Sequence, residues 1–264
     1  MPKRAVYQAA AVFLAVATMT ARTQLSMGGF NRVAVIGSSG GVGAALARQL
    51  ADAGSAVHAF SRSGSAADTR LIAGPIDILD EGAIAAAAAT LADQEPLDLV
   101  IVATGLLHDE ALAPERAFRE LDASKLARYF AVNATGPALI AKHFLPLLSR
   151  CGNPVFAALS ARVGSIGDNR LGGWYGYRAS KAALNMVIKT LAIELARTRP
   201  NAICVSLHPG TVDTPLSQPF QRRVAKGKLL EPATSAARLL EVIGALSKED
   251  SGSCIAWDGE RIVA

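Results

Sequence analysis

The stretch that decides the fold is RVAVIGSSGGVG, residues 32–43. A short apolar run ends there in a turn of glycine and serine, and a helical pattern follows over about 42–53. Gly54 stands where that helix is expected to end, because glycine readily takes the left-handed conformation that closes helices. A strand, a glycine-rich turn and a helix in this order form the opening unit of an α/β sheet.

The same alternation continues along the chain. Further apolar runs, separated by segments of helical length, are AVHAF, LDLVIVATG, PVFAALS, AICVSLHPG and SCIAW. Runs such as VAVIG and LVIVA lack polar residues, as strands covered on both faces do. We predict a single α/β domain, a doubly wound and mostly parallel sheet of about seven strands with helices on both faces. Its longest helices are expected at about 122–150 and 177–199.

Composition limits the classes of protein that fit. A chain of 264 residues with 51% hydrophobic content supports one large core and is short for two α/β domains. The net charge of +5 arises from 27 Lys+Arg and 22 Asp+Glu without a long basic block, so we predict no nucleic-acid partner. The local basic cluster at 221–228 fits a solvated loop or helix face.

The cysteines Cys151, Cys204 and Cys254 lie far apart in apolar surroundings. Their odd number and their spacing give neither a disulfide framework nor a metal site. We therefore predict buried thiols in a reducing compartment, hence a cytoplasmic protein, and no bound metal.

Residues 1–26 form an N-terminal extension with a composition of its own. It has a basic start, an apolar stretch at 9–17 and no acidic residue, which suits a signal peptide, a transit peptide or a weak anchor. The apolar stretch is too short to span a bilayer comfortably. We favour a misassigned start, since Met27 stands shortly before the first strand. The domain is then expected at 27–264, with membrane association only if the extension is retained.

The turn after the first strand has the composition of a dinucleotide-binding turn. Gly37, Gly41 and Gly43 allow a tight turn and a close approach to a pyrophosphate, and free N–H groups at the helix start favour its negative charge. Their spacing departs from the GxGxxG pattern, so the interpretation needs support from elsewhere. The alternative is a flexible loop that binds nothing.

The end of the second strand bears on the choice of cofactor. An NAD site usually has an acidic residue there to hold the ribose hydroxyls, whereas this chain has AFSRSG, with Ser61 and Arg62. Arginine and small hydroxyls hold a 2′-phosphate, which a carboxylate would repel. NADP is therefore favoured over NAD. In the alternative interpretation, Arg62 is a solvated loop cation.

The stretch YGYRASK, residues 175–181, brings a phenol and an ammonium together. On a helix, Tyr177 and Lys181 lie at i and i+4 and share a face, whereas Tyr175 does not. A nearby ammonium lowers the pKa of a phenol from about 10 by stabilising the phenolate. A plain surface pair would have the same spacing, so the hypothesis of a proton donor needs further polar groups.

Two further polar groups, a hydroxyl and an amide, stand at positions that suit an active site. Ser160 ends the strand PVFAALS, where its hydroxyl is placed to meet a substrate oxygen at the carboxyl edge of the sheet. Asn133 lies inside an apolar helix, where its amide must find partners and often marks a kink or a water site. The motif HPGTVDTP follows another strand.

With these pieces, the chain resembles the short-chain dehydrogenase/reductase family from Asn31 onward. The family's TGxxxGxG loop falls on 36–43, with Ile36 where threonine would stand, and VATG replaces its NNAG motif. YxxxK falls on Tyr177 and Lys181, the strand-end serine on Ser160 and the helix asparagine on Asn133. By this resemblance the cofactor-binding positions are Gly37, Ser39, Gly40, Gly41, Val42, Gly43, Ser61, Arg62, Asp77, Ile78, Ala103, Thr104, Gly105, Lys181, Pro209, Gly210, Val212 and Thr214.

The resemblance implies a Rossmann fold and an NADP-dependent oxidoreductase that transfers a hydride between nicotinamide and a small carbonyl or alcohol. Ser160 would hold the substrate oxygen and Tyr177 would exchange the proton. Lys181 would lower the pKa of Tyr177 and bind the nicotinamide ribose, and Asn133 would help a water to replenish protons. A homodimer or homotetramer is expected through the two long helices, and residues 215–230 are expected to form a lid.

A second interpretation belongs to a different functional class. The wording WYGYRASKAALN and LHPGTVDTP is most similar to the C-factor branch of the family, whose members are linked to bacterial intercellular signalling as well as carbonyl reduction. A nucleotide-binding regulatory protein with little turnover is therefore the alternative. The complete set of Asn133, Ser160, Tyr177 and Lys181 argues against it, since a pure binder has no evident need for a proton donor.

Overall fold

The structure, a computed structural model, describes residues 29–225 and 227–263. The extension at 1–26 and Met27 lie outside the described residues. The elements, in chain order, are β1 (Arg32–Ile36), α1 (Gly41–Asp52), β2 (Ala56–Ser61), β3 (Ile72–Pro75), α2 (Glu81–Ala92), β4 (Leu99–Val102), α3 (Ala123–Phe130), α4 (Gly136–Phe144), β5 (Val155–Leu159), α5 (Tyr175–Thr198), β6 (Ile203–His208), β7 (Thr211–Val212), β8 (Leu229–Leu230), α6 (Pro232–Gly244), β9 (Cys254–Ala256) and β10 (Arg261–Ile262).

The main sheet has the strand order β10-β9-β6-β5-β4-β1-β2-β3. Its strands pair in parallel except β10, which pairs with β9 in antiparallel orientation. The predicted doubly wound, mostly parallel sheet is confirmed, with eight strands where about seven were expected. The differences lie in short strands: β3 carries the turn-forming pair Gly74 and Pro75, and β10 has two residues.

Two apolar cores cover the two faces of the sheet, as strands with no polar side require. Ala34 and Ile36 of β1 face the core that contains side chains of α2, α4 and α5. Val33 and Val35 face the opposite core, which contains side chains of α1 and α6. The alternation along one strand therefore places helices on both faces, as predicted.

The predicted helix at 122–150 is interrupted. Helix α3 ends at Phe130, a π-helical turn covers Ala131–Thr135, and α4 then runs to Phe144. The interruption surrounds Asn133, whose amide bonds to the backbone of Leu106 in place of a solvent partner. Such π-helical turns often accompany functional sites.

The predicted helix at 177–199 exists as α5, which begins at Tyr175. Gly172 and Gly173 precede it with positive φ angles of 61° and 65°, so the chain turns sharply before the helix begins. Tyr177 therefore lies in the first turn of α5 and Lys181 in the second, and the i, i+4 geometry holds.

The cysteine prediction is right for two residues and wrong for the third. Cys204 and Cys254 are buried in the strands β6 and β9, whereas Cys151 is exposed. Cys151 lies in the turn before β5, where Gly152 has a φ of 69° and the chain runs along the surface.

The outer surface of α5 carries the exposed apolar side chains of Met186 and Ile193. Pairing of two copies through α5 would cover such side chains, and this pairing stays a prediction. Within 29–225 and 227–263, no helix has both the length and the hydropathy that crossing a membrane requires.

Candidate active site

The glycine turn after β1 leaves the start of α1 open. Gly37 has a φ of 90°, and its N–H donates to the carbonyl oxygen of Phe60 at the end of β2 (2.9 Å). Gly40 precedes α1 without a capping side chain, and the first turn of α1 holds no acidic residue. The N–H groups that open the helix are therefore available to an anion.

Close packing explains why glycine stands at two of these positions. A Cβ on Gly43 would collide with the carbonyl oxygen of Gly37, and a Cβ on Gly41 would lie 2.5 Å from Cγ2 of Thr214. The turn after β1 thus packs directly on the loop that follows β7. The predicted positions from the first and the last cofactor motif are neighbours in space.

The end of β2 carries an unpaired positive charge. Ser61 is buried, and its hydroxyl bonds to the loop that follows. Arg62 is exposed and forms no ion pair within the described part of the chain. Arg70, by contrast, pairs with Asp52 and Asp68 at 2.7 and 2.6 Å. Arg62 is therefore free to meet an anionic ligand.

Three further predicted cofactor-binding positions differ in burial. Asp77 is exposed, and its Oδ1 accepts from the backbone N–H of Leu79 (3.0 Å). Ile78 is buried, and a Cβ on Gly136 would press against it. Thr104, after β4, has a buried hydroxyl without a partner among the described residues.

Asn133 is fully buried, and both the oxygen and the nitrogen of its amide form hydrogen bonds. Its Oδ1 accepts from the N–H of Leu106 (2.8 Å), while its Nδ2 donates to the carbonyl oxygen of Leu106 (2.9 Å) and to Oγ of Ser180 (3.1 Å). The amide therefore ties the π-helical turn to the loop after β4 and to α5. These hydrogen bonds fix the orientation of the amide, and the predicted part of Asn133 in replenishing protons through a water stays a prediction.

Tyr177 lies in an aromatic environment and is 7% exposed. Its ring meets Tyr129 and Trp174 edge to face, with centroids 6.3 and 6.2 Å away. Burial raises the pKa of Tyr177 to about 12. Desolvation sets the direction of this shift, and Nζ of Lys181 lies 6.0 Å from the ring centroid. A lowering of the phenol pKa by the Lys181 ammonium stays a prediction.

Lys181 is 3% exposed, and its Nζ donates to the carbonyl oxygen of Leu159 (2.8 Å). Burial lowers the pKa of Lys181 to about 8, since the low-dielectric surroundings disfavour the ammonium. A Cβ on Gly105 would lie 3.7 Å from both Nζ of Lys181 and Oδ1 of Asn133. The two polar side chains therefore converge over the loop after β4.

Ser160 follows β5 and is 4% exposed. Its Oγ donates to Oδ1 of Asn185 at 2.8 Å. Asn185 was not singled out from the sequence, although it stands four residues after Lys181 and so continues the same helix face. That spacing was the one feature of the sequence that pointed to Asn185 as part of the site.

Comparison with known proteins identifies the family. Residues 31–225, well over half of the chain, match the family model described as short chain dehydrogenase. The chain belongs to the short-chain dehydrogenase/reductase family. It is thus an oxidoreductase with a Rossmann-type sheet. The 1-hydroxy-2-glutathionyl-2-methyl-3-butene dehydrogenase of Rhodococcus sp. (strain AD45) is 32% identical to it over 86% of this chain and 96% of its own.

Two further proteins are similar to this short-chain dehydrogenase. The C-signal protein of Myxococcus xanthus is 34% identical over 55% of this chain and 82% of its own. The crystal structure of NADPH-bound carbonyl reductase from chicken fatty liver has a TM-score of 0.78, with 23% identity over 90% of this chain and 96% of its own. At that identity, the similarity to the reductase is one of fold.

An aromatic wall covers Tyr177 in this dehydrogenase, built from Trp174, Phe220 and His108. Trp174 packs on Phe220 with centroids 4.9 Å apart, and Phe220 packs on His108 at 5.6 Å. Nε2 of His108 donates to the carbonyl oxygen of Pro215 (3.1 Å), which ties down the start of the same segment. Phe220 lies in 215–230, the predicted lid. Its contact with Trp174 joins residues far apart in the chain, so the sequence pattern does not predict it.

Glu115 supports the first turn of α5 in this dehydrogenase. The carboxylate is buried, and its Oε2 accepts from the N–H of Gly176 (3.1 Å). The backbone oxygen of Glu115 accepts from the N–H of Trp174, the residue before the helix, whose φ is 53°. A carboxylate at a helix start also interacts favourably with the helix dipole. Glu115 thereby fixes the turn that carries Tyr177.

Proposed function

We propose that the protein is an NADP(H)-dependent oxidoreductase that interconverts a small carbonyl compound and the corresponding alcohol. The observation that carries the proposal is the buried pair of Tyr177 and Lys181 on one face of α5, beside Ser160 at the end of β5. The likeness in fold to an NADPH-bound carbonyl reductase supports the proposal.

The residues at the carboxyl edge of the sheet fit this cofactor. The open start of α1 suits the pyrophosphate, and Arg62 suits a 2′-phosphate, since no carboxylate stands at the end of β2. Thr104 lies after β4 at the same edge, and its buried hydroxyl has no partner among the described residues. Asp77 and Ile78 would border the adenine, and the loop from Pro209 to Thr214 the carboxamide. When bound, the nicotinamide supplies the hydride.

The chain's own groups handle the substrate oxygen and its proton. Ser160 holds the carbonyl oxygen, and Tyr177 donates the proton that this oxygen needs as the carbonyl carbon receives the hydride. A pKa of about 12 keeps Tyr177 protonated at neutral pH, as a proton donor must be. A pKa of about 8 leaves most of Lys181 charged at pH 7, where its ammonium binds the ribose hydroxyls.

Arg62→Ala is expected to weaken NADPH binding by about 10- to 100-fold and NADH binding by less than about twofold. The physical reason is the loss of a charge-assisted bond to the 2′-phosphate, a group that NADH lacks. Fluorescence titration of both cofactors measures the effect.

Arg70→Ala is the matched control for the cofactor assignment. Arg70 is also an exposed arginine near β2, but its guanidinium is already paired with Asp52 and Asp68. The control is expected to bind both cofactors as the wild type does, because the guanidinium of Arg70 is already occupied by two carboxylates. It is also expected to stay folded, because exposed ion pairs contribute little to stability. Equal losses of NADPH and NADH affinity in Arg62→Ala would contradict the assignment.

The aromatic wall favours a substrate with an apolar or aromatic body beside its carbonyl group. Phe220→Ala is expected to lower kcat/KM for 4-nitrobenzaldehyde by about tenfold and that for propanal by less than about threefold. The larger compound loses a ring contact that the smaller one does not make. Steady-state rates with both aldehydes, at saturating NADPH, measure the difference.

Phe118→Ala is the control for the aromatic wall, because Phe118 is 75% exposed and lies outside the wall. It is expected to leave both kcat/KM values unchanged. If Phe220→Ala affects the two aldehydes equally, the wall does not select the substrate body.

A second candidate function, binding of a nucleotide for signalling, is supported by the similarity to the C-signal protein of Myxococcus xanthus. A regulatory protein of this kind would bind NADPH and reduce no carbonyl. The buried ammonium of Lys181 beside a buried phenol is costly to a fold and favours the enzyme.

A further inference from the structure

The side chain of Asn185 joins the end of β5 and the interior of β6 to the helix that carries Tyr177. Its Oδ1 accepts hydrogen bonds from Oγ of Ser160 (2.8 Å) and from Oγ of Ser206 in β6 (2.9 Å). Both serines are buried, at 4% and 1% exposed. An amide oxygen only accepts, so each hydroxyl directs its proton at Asn185.

The spacing along α5 places Asn185 on the same helix face as Tyr177 and Lys181. Tyr177, Lys181 and Asn185 follow one another at intervals of four and so form one stripe of the helix. Lys181 bonds to the carbonyl oxygen of Leu159, and Asn185 bonds to the next residue, Ser160. Two successive residues at the end of β5 are thus tied to two successive turns of α5.

This double tie sets the distance between the group that holds the substrate oxygen and the group that protonates it. A serine hydroxyl without a partner samples three rotamers, whereas a hydroxyl bonded to a fixed oxygen keeps one. Ser206 supplies a second proton to Oδ1, so the amide oxygen keeps a partner when Ser160 turns its proton to a carbonyl substrate. An acceptor left without any partner in a buried site would make that turn costly.

We propose that Asn185 is a positioning residue for Ser160, which it holds in register with Tyr177 for the transfer of a proton to the substrate oxygen. The inference rests on the proposed carbonyl reduction and adds a residue to it. Asn185 contacts neither substrate nor cofactor in this account, and its effect passes through Ser160 alone.

A double-mutant cycle tests this dependence, with 4-nitrobenzaldehyde and propanal as probes. Ser160→Ala is expected to lower kcat/KM by about 100-fold, and Asn185→Leu, which keeps the shape and removes the acceptor, by about tenfold. In the Ser160→Ala background, Asn185→Leu is expected to add less than about twofold, since the bond it breaks is already absent. NADPH affinity is expected to stay within about twofold of wild type throughout.

A conservative replacement and a neighbouring change separate positioning from packing. Asn185→Asp retains an acceptor for both hydroxyls and is expected to keep more of the activity than Asn185→Leu. Thr190→Val removes an exposed polar side chain from the same helix and is expected to leave kcat/KM unchanged. Thermal melting of each variant verifies that the protein is folded.

Two results would overturn the inference. Losses that multiply in the double mutant would mean that Asn185 acts independently of Ser160, and an Asn185→Leu protein with wild-type kcat/KM would mean that it does not act. Either result, with Tyr177→Phe inactive, leaves the proposed reductase standing. If the wild type reduces neither aldehyde nor any other carbonyl compound, the proposed function and the positioning role fail together.

Discussion

Tyr177→Phe is expected to lower carbonyl reduction by at least about 1,000-fold, since general acid catalysis by a positioned group contributes on this scale. The substitution removes one hydroxyl and retains the ring that packs against Tyr129 and Trp174. NADPH affinity is therefore expected to remain within about twofold of wild type. NADPH consumption with a panel of aldehydes, ketones and quinones, beside a binding titration, measures both quantities.

Tyr175→Phe is the matched control for this experiment. Tyr175 begins the same helix, but it is 38% exposed and does not share the face of Lys181. The control is expected to retain wild-type turnover. Full activity in Tyr177→Phe, or an equal loss in both variants, would remove Tyr177 from the role of proton donor.

Lys181→Met is expected to have the second largest effect on turnover. It is expected to lower activity and to raise stability. Turnover is expected to fall by about 100-fold or more, and NADPH affinity by about tenfold, because the ammonium that binds the ribose is lost. Stability at pH 7 is expected to rise, because the wild type carries a buried ammonium that its surroundings disfavour.

The pH dependence of that gain follows from the direction of the pKa shift. Lys181 has a pKa of about 8 in the fold against 10.5 ordinarily, so the unfolded chain binds more protons between these values and wild-type stability rises with pH there. Below about pH 8 the wild type bears the full cost of the buried charge. The advantage of Lys181→Met is therefore largest at and below neutral pH and shrinks as pH rises toward 10.5.

The size of the gain has an upper limit of about 3 kcal/mol, from the size of the pKa shift, and the unpaired carbonyl oxygen of Leu159 reduces it. Urea unfolding at pH 7 and pH 10 measures it. Lys189→Met is the control, because Lys189 is exposed on the same helix and should alter neither activity nor the pH dependence. A Lys181→Met protein that is less stable than wild type at pH 7 would show that the buried ammonium does not strain the fold.

The parts of the fold that follow local rules were predictable from the sequence. The glycine turn at 37–43, the apolar runs and the i, i+4 pair of Tyr177 and Lys181 depend on residues close together in the chain. The sheet and its two covered faces follow from them, because apolar strands joined by helices pack in few ways.

Other features depend on contacts between distant residues and were missed. The sequence indicated a kink or a water site at Asn133, but not the π-helical turn itself, in which the amide of Asn133 finds its partners in the loop after β4. The raised pKa of Tyr177 was missed, because its desolvation comes from packing that includes Tyr129, a residue far away in the chain. Asn185 forms its hydrogen bonds with Ser160 and Ser206 only when β5 and β6 lie beside α5.

The most direct test of the central claim follows the hydride itself. NADPH that carries deuterium at C4 of the nicotinamide, on either face, is incubated with the full chain and 4-nitrobenzaldehyde, and the alcohol product is analysed by mass spectrometry. We expect alcohol with one deuterium on the carbinol carbon from one of the two labelled cofactors, and no alcohol with Tyr177→Phe. Bound NADPH without any labelled alcohol from this or any other carbonyl compound would contradict it.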